Sequence, residues 1–107
     1  MDILARKSFW EDGQNYKYRT GHATDSFLNA VESPIGMHKN SYIEFIPGHC
    51  ITNEPTFYDP NGLFGIKIKN VLLCKKHPSL HNFLCWENKT FAPYSRELID
   101  KAMLDPE

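Results

Sequence analysis

The sequence has no apolar run that approaches the ~20 residues of a membrane-spanning helix. Its first ten residues, MDILARKSFW, are charged and lack a continuous apolar core, which is not the pattern of a secretory signal. Cysteine is scarce and odd in number, because only Cys50, Cys74 and Cys85 occur and no two are close in sequence. These absences predict a cytoplasmic protein with reduced thiols, no disulfide framework and no membrane contact.

An excess of charge of either sign is also missing. Twelve Lys and Arg residues face 13 Asp and Glu residues, which gives a formal net charge of -1. This balance gives no indication of a basic surface for nucleic acid, so no nucleic-acid partner is expected. A chain of 107 residues forms one domain at most, and residues 1–107 are therefore expected to be a single domain.

The first half of the chain predicts one helix followed by irregular structure. Apolar spacing in DILARKSFWE predicts a helix over Asp2–Glu11 that ends at Gly13. The segment NYKYRTGHATDS is typical of a bent, extended connection with a glycine hinge. The next segment, SFLNAVESPIGMHKNS, contains Pro34 and Gly36 and predicts a loop-rich passage.

The second half predicts antiparallel strands joined by tight turns. Residues 50–54 are predicted as a strand that ends at Pro55, and DPNG (59–62) as a turn between strands. LFGIKIKNVLLC is predicted as one long strand, with Lys67 and Lys69 on the same face. After the turn HPSLHN, FLCWENKTFAPY predicts a third strand, and SRELIDKAML predicts a closing helix capped by Ser95. The fold class is therefore α+β, with about three antiparallel strands flanked by helices.

Motifs with a specific chemistry are weak when each is taken alone. The five histidines lack the i, i+4 spacing and the Cys-x-x-Cys pairs of common zinc sites. No serine lies in a nucleophile elbow, and no glycine-rich loop follows a strand. His22 follows Gly21 directly in TGHATDS, so it could ligate a metal, move a proton or fill a polar niche. From these residues alone, the structural role is favoured.

Three segments taken together resemble a known family. They are TGHATDSFLNAVESP (20–34), ITNEPTFYDPNGLFGIKIKNVLLC (51–74) and FLCWENKTFAPYSRELIDKAMLDPE (83–107). In order and spacing they are similar to the C-terminal part of the catalytic domain of aminopeptidase P, the Xaa-Pro aminopeptidases. That family has Thr-Gly-His-Gly-Val-Gly, then Thr-Asp-Glu-Pro-Gly-Tyr-Tyr, then Phe-Gly-Ile-Arg-Ile-Glu-Asn-Val. The opening ILARKSFWEDGQNY also resembles the family helix before the histidine motif, so the resemblance covers nearly the whole chain.

The resemblance implies a partial pita-bread fold of the creatinase/aminopeptidase type. Residues 1–107 would then be a truncated domain, the C-terminal portion of a pita-bread catalytic domain. In the family, two aspartates, one histidine and two glutamates hold two divalent ions, commonly manganese. The two ions activate a bridging water that attacks the peptide bond before proline, as in other two-metal sites.

The ligand positions of the family are only partly present in this chain. His22 matches the histidine ligand, and Glu54 in NEP matches the first glutamate. Lys69 in IKIKNV occupies the position of the second glutamate. The two aspartates of the family would precede Met1. His22 and Glu54 are therefore expected to be vestigial ligand positions, and Lys69 is hypothesised to form an ion pair with Glu54.

Other functional positions of the family are replaced as well. Tyr18 stands where a catalytic histidine precedes the ligand, and Val31 stands in place of a second catalytic histidine. Ala23 and Asp25 replace glycines of the histidine motif. No catalytic residue is therefore assigned, and no cofactor is expected.

The resemblance with these replacements predicts an Xaa-Pro aminopeptidase-like chain that is catalytically inactive. An uncovered half-fold implies a homodimer or a partner protein, and a peptide substrate is not expected. Two alternatives stay open. The chain could be part of an active manganese-dependent metalloaminopeptidase that cleaves Xaa-Pro bonds, or it could be a non-catalytic module that binds peptides.

Overall fold

The computed structural model describes residues 1–24, residue 27 and residues 29–104 of the chain. Within these residues one α-helix, seven strands and two short 3₁₀ turns are found. They are α1 (Asp2–Glu11), β1 (Gly21–Ala23), β2 (Glu32–Met37), β3 (Cys50–Asn53), β4 (Thr56–Tyr58), β5 (Gly65–Lys67), β6 (Asn70–Lys76), β7 (Leu84–Asn88) and the 3₁₀ turns Arg96–Leu98 and Lys101–Met103. No helix among them is long and apolar enough to cross a membrane.

The predicted helix α1 is confirmed and ends as expected. Gly13 has a φ of 70°, a conformation that favours glycine, and its N–H donates to Trp10 O at 3.0 Å. Ile3 and Leu4 are exposed, so apolar burial at these positions does not hold the helix in place. A polar contact does, because the Arg6 guanidinium reaches from the helix into the connection that follows it.

Arg6 joins α1 to the connection before β1. Its Nε donates to Asp2 Oδ2 at 2.9 Å, and its two terminal nitrogens donate to the carbonyl oxygens of Tyr16 and Tyr18, both at 2.7 Å. The same guanidinium lies 4.0 Å from the centre of the Tyr16 ring. Asp2 also accepts a hydrogen bond from Thr20, two residues before His22. The chain therefore enters β1 from a fixed position.

Five antiparallel strands form the main sheet in the order β2-β1-β3-β6-β7. Its buried core consists of Ala23, Met37 and Ile51, which come from the neighbouring strands β1, β2 and β3. Other apolar side chains pack against this core: Ala5, Ile35, Phe45, Leu72 and Trp86. In this order β2 and β7 are the edge strands, and β1 lies directly beside β3.

A second, two-stranded sheet consists of β4 and β5, joined by the turn that DPNG predicted. Gly62 has a φ of 74° and donates its N–H to Asp59 O at 2.9 Å. The Asp59 carboxylate accepts from the N–H groups of Asn61 and Leu63. This confirmed hairpin folds residues 65–67 back beside the segment that follows β3.

Three secondary-structure predictions were wrong. The passage predicted as loop contains β2, whose position at the sheet edge tolerates Pro34. The single long strand is split, because residues 65–67 pair in one sheet and residues 70–76 in the other. The closing helix is two 3₁₀ turns, and Ser95 caps the first without a side-chain hydrogen bond. Leu98 and Met103 are both 83% exposed, so no packed apolar face stabilises a longer helix there.

Candidate functional site

β1 and β3 bring the histidine and glutamate positions together. A Cβ atom at Gly21 would lie 1.8 Å from Thr52 O, so only glycine allows this approach of the two strands. The His22 N–H then donates to Thr52 Oγ1 at 3.0 Å. Glu54 follows β3 directly, and its N–H donates to Thr20 O at 2.7 Å. The imidazole and the carboxylate consequently face the same point.

One oxygen of the Glu54 carboxylate contacts His22. His22 Nε2 lies 2.9 Å from Oε1, and Thr52 Oγ1 donates to the same oxygen at 2.9 Å. Both side chains are largely buried, with 15% of His22 and 10% of Glu54 exposed. The other ring nitrogen, Nδ1, lies 2.9 Å from the carbonyl oxygen of Ala23.

The two partners of His22 constrain the protonation of its ring. A carbonyl oxygen and an ionised carboxylate are both acceptors, so each ring nitrogen must carry a proton for both contacts to be hydrogen bonds. In the neutral Nδ1–H tautomer, the Nε2 lone pair would face Glu54 Oε1, and a cation shared by the two groups would resolve that contact.

The second oxygen of Glu54 lies between two lysines. Lys67 Nζ donates to Oε2 at 3.0 Å, and Lys69 Nζ lies 3.6 Å from the same oxygen. The hypothesised ion pair between Glu54 and Lys69 is present, but its distance exceeds that of a hydrogen bond. The shorter contact comes from Lys67, which had not been identified as a site residue. Its place on the same strand face as Lys69 was the available signal.

The lysines keep Glu54 ionised. Burial raises the pKa of the Glu54 carboxyl, but hydrogen bonds from Lys67 and Thr52 and the charge of Lys69 outweigh burial and lower it overall. The hydrogen bond to Glu54 raises the pKa of Lys67 in turn. Two ammonium groups thus face one carboxylate, and the cluster of His22, Glu54, Lys67 and Lys69 carries an excess of positive charge.

These residues do not fit a pair of divalent ions. One imidazole and one carboxylate are available, and two dications need several carboxylates, bridging ones included, to offset their mutual repulsion. Within residues 1–24, 27 and 29–104, no group of three or more His, Cys, Asp or Glu side chains is placed to hold a metal. Both carboxylate oxygens of Glu54 are already engaged by protein groups.

The remaining positions at which this chain departs from the family motifs are Tyr18, Val31, Ala23 and Asp25. Tyr18 is 63% exposed, and its ring packs edge-on against Tyr58 with the centroids 5.9 Å apart. Val31 is exposed, whereas Ala23 is buried in the sheet core. The predicted replacement at Asp25 lies outside the described residues.

The family profile and the individual relatives that match this chain all point to the same family. The profile of metallopeptidase family M24 matches residues 1–76. The probable Xaa-Pro aminopeptidase P of Botryotinia fuckeliana is 41% identical over 112 residues, covering 97% of this chain and 17% of the relative. The putative Xaa-Pro aminopeptidase FRA1 of Saccharomyces cerevisiae is 40% identical over 110 residues, covering 100% of this chain and 15% of the relative.

A solved structure confirms the predicted fold. The X-prolyl aminopeptidase from Caenorhabditis elegans, described as a cytosolic enzyme with a di-nuclear active site, superposes with a TM-score of 0.86 at 30% identity. The match covers 97% of this chain and 17% of that protein. The expected α+β, partial pita-bread arrangement is therefore correct. The chain spans between 15 and 17% of the length of these three relatives.

Proposed function

Because the chain belongs to metallopeptidase family M24, we propose that it is an Xaa-Pro aminopeptidase-like segment in which lysine ammonium groups replace metal ions. In this proposal the chain does not by itself hydrolyse the peptide bond before proline. The observation that carries the proposal is the Glu54 carboxylate, which contacts Lys67 Nζ at 3.0 Å and Lys69 Nζ at 3.6 Å.

The charges of the cluster support this proposal. A dication that approached Glu54 Oε2 would have to displace Lys67 and would remain beside Lys69. Displacement of Lys67 breaks its charge-assisted hydrogen bond to Glu54, whose side chain is only 10% exposed. Repulsion between the dication and two ammonium groups adds to this penalty. His22 then contacts Glu54 Oε1 and holds it in place, and no residue of the cluster is placed to activate water through a metal.

A second candidate is a role within an active metalloaminopeptidase. The 2.9 Å contact between His22 Nε2 and Glu54 Oε1 favours it, because two ligands of one cation converge in this way. The chain spans at most 17% of the relatives described above, so further ligands would come from polypeptide outside residues 1–107. Lys69 would still lie beside Glu54 in such an enzyme.

Calorimetric titration of the chain alone with Mn²⁺, with a parallel assay on an Xaa-Pro dipeptide, tests the first candidate. The same measurements on a chimera, in which residues 1–107 replace the matching segment of the C. elegans X-prolyl aminopeptidase, test the second. We expect no tight binding and no hydrolysis above the rate with Mn²⁺ alone. The C. elegans X-prolyl aminopeptidase is the positive control under the same conditions. Tight binding of two ions per chain, together with proline-specific cleavage, would instead establish the active enzyme.

The same family membership supports a place for the chain in the cytosol, by analogy with the C. elegans protein. Many large apolar side chains are exposed, among them Phe91, Leu98 and Leu63. An isolated chain with such a surface tends to associate. We propose a homodimer as the assembly.

A further inference from the structure

The ammonium groups of Lys67 and Lys69 converge on one oxygen atom without being buried. Their side chains are 47% and 46% exposed, whereas that of Glu54 is only 10% exposed. Lys69 lies at 3.6 Å and makes no hydrogen bond to Glu54, so its N–H donors are directed to other groups or to solvent. Both ammonium groups are thus accessible to solvent, whereas the Glu54 carboxylate that partners them is largely buried.

The charges at this place do not cancel. Among the ion pairs of the described residues, both lysines have Glu54 as their one acidic partner, and Glu54 Oε1 is already taken by Thr52 and His22. The rings of Tyr18 and Tyr58 stack edge to face, with their centroids 5.9 Å apart. One of the two lysine charges therefore has no acidic partner of its own among the described residues.

We propose that Lys67 and Lys69 form a binding site for an oxyanion, the carboxylate or phosphate group of a small ligand. This inference rests on the proposed replacement of metal ions by these two lysines. An oxyanion that contacts both ammonium groups restores local neutrality and accepts the donors that Glu54 leaves unused. The replacement of Glu by Lys at position 69 thus changes the preferred ligand from a cation to an anion.

NMR titration of the metal-free chain tests the site. Inorganic phosphate and acetate are added separately at constant ionic strength, and the side-chain Cε resonances of the lysines are followed. We expect saturable shifts at Lys67 and Lys69 and none at Lys76, which is an exposed lysine on β6. Tighter binding of phosphate would identify a phosphate group as the ligand, and equal or tighter binding of acetate would identify a carboxylate.

Four variants are expected to change the affinity for the anion in different directions. Lys67→Gln and Lys69→Gln each weaken binding by about two- to fivefold, the range of exposed ion pairs. Lys69→Arg keeps the charge and retains most of the affinity. Glu54→Gln removes the internal competitor of the anion and tightens binding.

Lys76→Gln is the matched control and leaves the affinity unchanged. A folded double variant, Lys67→Gln with Lys69→Gln, that binds phosphate and acetate as tightly as the original chain would overturn the inference. Shifts at Lys76 as large as those at Lys67 would also overturn it, because they indicate a non-specific charge effect. Since no metal is present, failure here is separate from the outcome of the Mn²⁺ titration.

Discussion

Gly21 lies where a Cβ atom would stand 1.8 Å from the carbonyl oxygen of Thr52. A Gly21→Ala substitution therefore forces β1 and β3 apart, because the clashing atom belongs to the backbone and cannot rotate away. We expect the free energy of unfolding to fall by about 1–3 kcal/mol, measured by urea denaturation.

Gly36→Ala is the matched control for this substitution. Its added Cβ would meet the His38 ring at 2.9 Å, which can move, and the Gly21 carbonyl oxygen at 3.2 Å, a much milder backbone contact than 1.8 Å. We expect a smaller loss than for Gly21→Ala. Equal losses in the two variants would contradict the close approach of β1 to β3 as the reason for glycine at position 21.

Lys69 stands at the position of the family's second glutamate ligand, so its replacement tests the site assignment. Lys69→Glu would place a second carboxylate beside Glu54 and His22 and remove one ammonium group. We expect the affinity for Mn²⁺, measured by calorimetry, to rise by at least about tenfold, since an additional charged ligand stabilises a bound dication. Lys76→Glu adds the same charge on β6 and should leave Mn²⁺ binding unchanged; a comparable rise there would exclude a local ligand effect.

At the scale of elements, α1 depends on a buried charge. Asp2 is 7% exposed and accepts hydrogen bonds from Arg6 and Thr20. Burial raises the pKa of the Asp2 carboxyl, but these hydrogen bonds and the charge of Arg6 lower it below its ordinary value of 3.8. A group whose pKa is lower in the folded state stabilises the fold above its unfolded pKa. That stabilisation is lost as the pH falls through the folded pKa.

Asp2→Asn should consequently lower the free energy of unfolding by about 1.5–3 kcal/mol at neutral pH, the range for hydrogen bonds to charged groups. The difference from the original chain should shrink as the pH falls below 3.8. Urea denaturation at several pH values measures both effects. Glu11→Gln, which removes an exposed pair with Lys7 on the same helix, should change stability little at any pH. A pH-independent loss in Asp2→Asn would refute an electrostatic anchor.

The elements that could be predicted are those fixed by local chemistry. Glycine at positive φ ends α1 and closes the DPNG turn, and both signals are visible in sequence. The break between β5 and β6 is not visible, because alternation continues through Ile66, Lys67 and Ile68 while the chain passes from one sheet to the other. Alternation reports that a segment is extended, and strand partners are set by distant residues.

The candidate site was predictable to a similar extent. The motifs around His22 and Glu54 and the lysine at position 69 could be identified from family resemblance, and the structure places all three side chains together. Lys67 was missed because the contact depends on how the β4–β5 hairpin folds back toward Glu54. Lys67 and Lys69 lie two positions apart on one face of the predicted strand. The sequence does not indicate which of the two ammonium groups lies closer to Glu54.

At the scale of the whole molecule, the described surface carries large apolar side chains that a monomer normally covers. Phe91 and Tyr42 are each 90% exposed, and Leu98 and Met103 follow Phe91 at 83%. The sheet also ends in β7, an edge strand just before this apolar segment. Uncovered apolar area and an open strand edge both favour association, and the two features coincide near the end of the sheet.

We therefore expect the chain to sediment as a dimer at micromolar concentration in analytical ultracentrifugation. Phe91→Asp should weaken this association by about tenfold, because a charge in place of a large apolar anchor opposes burial. Tyr42→Asp changes an equally exposed aromatic residue on the connection between β2 and β3 and should have little effect. Weakening by both variants would indicate non-specific aggregation through any apolar side chain. A stable monomer across the concentration range would refute the homodimer, and the apolar segment after β7 would then remain exposed in the free protein.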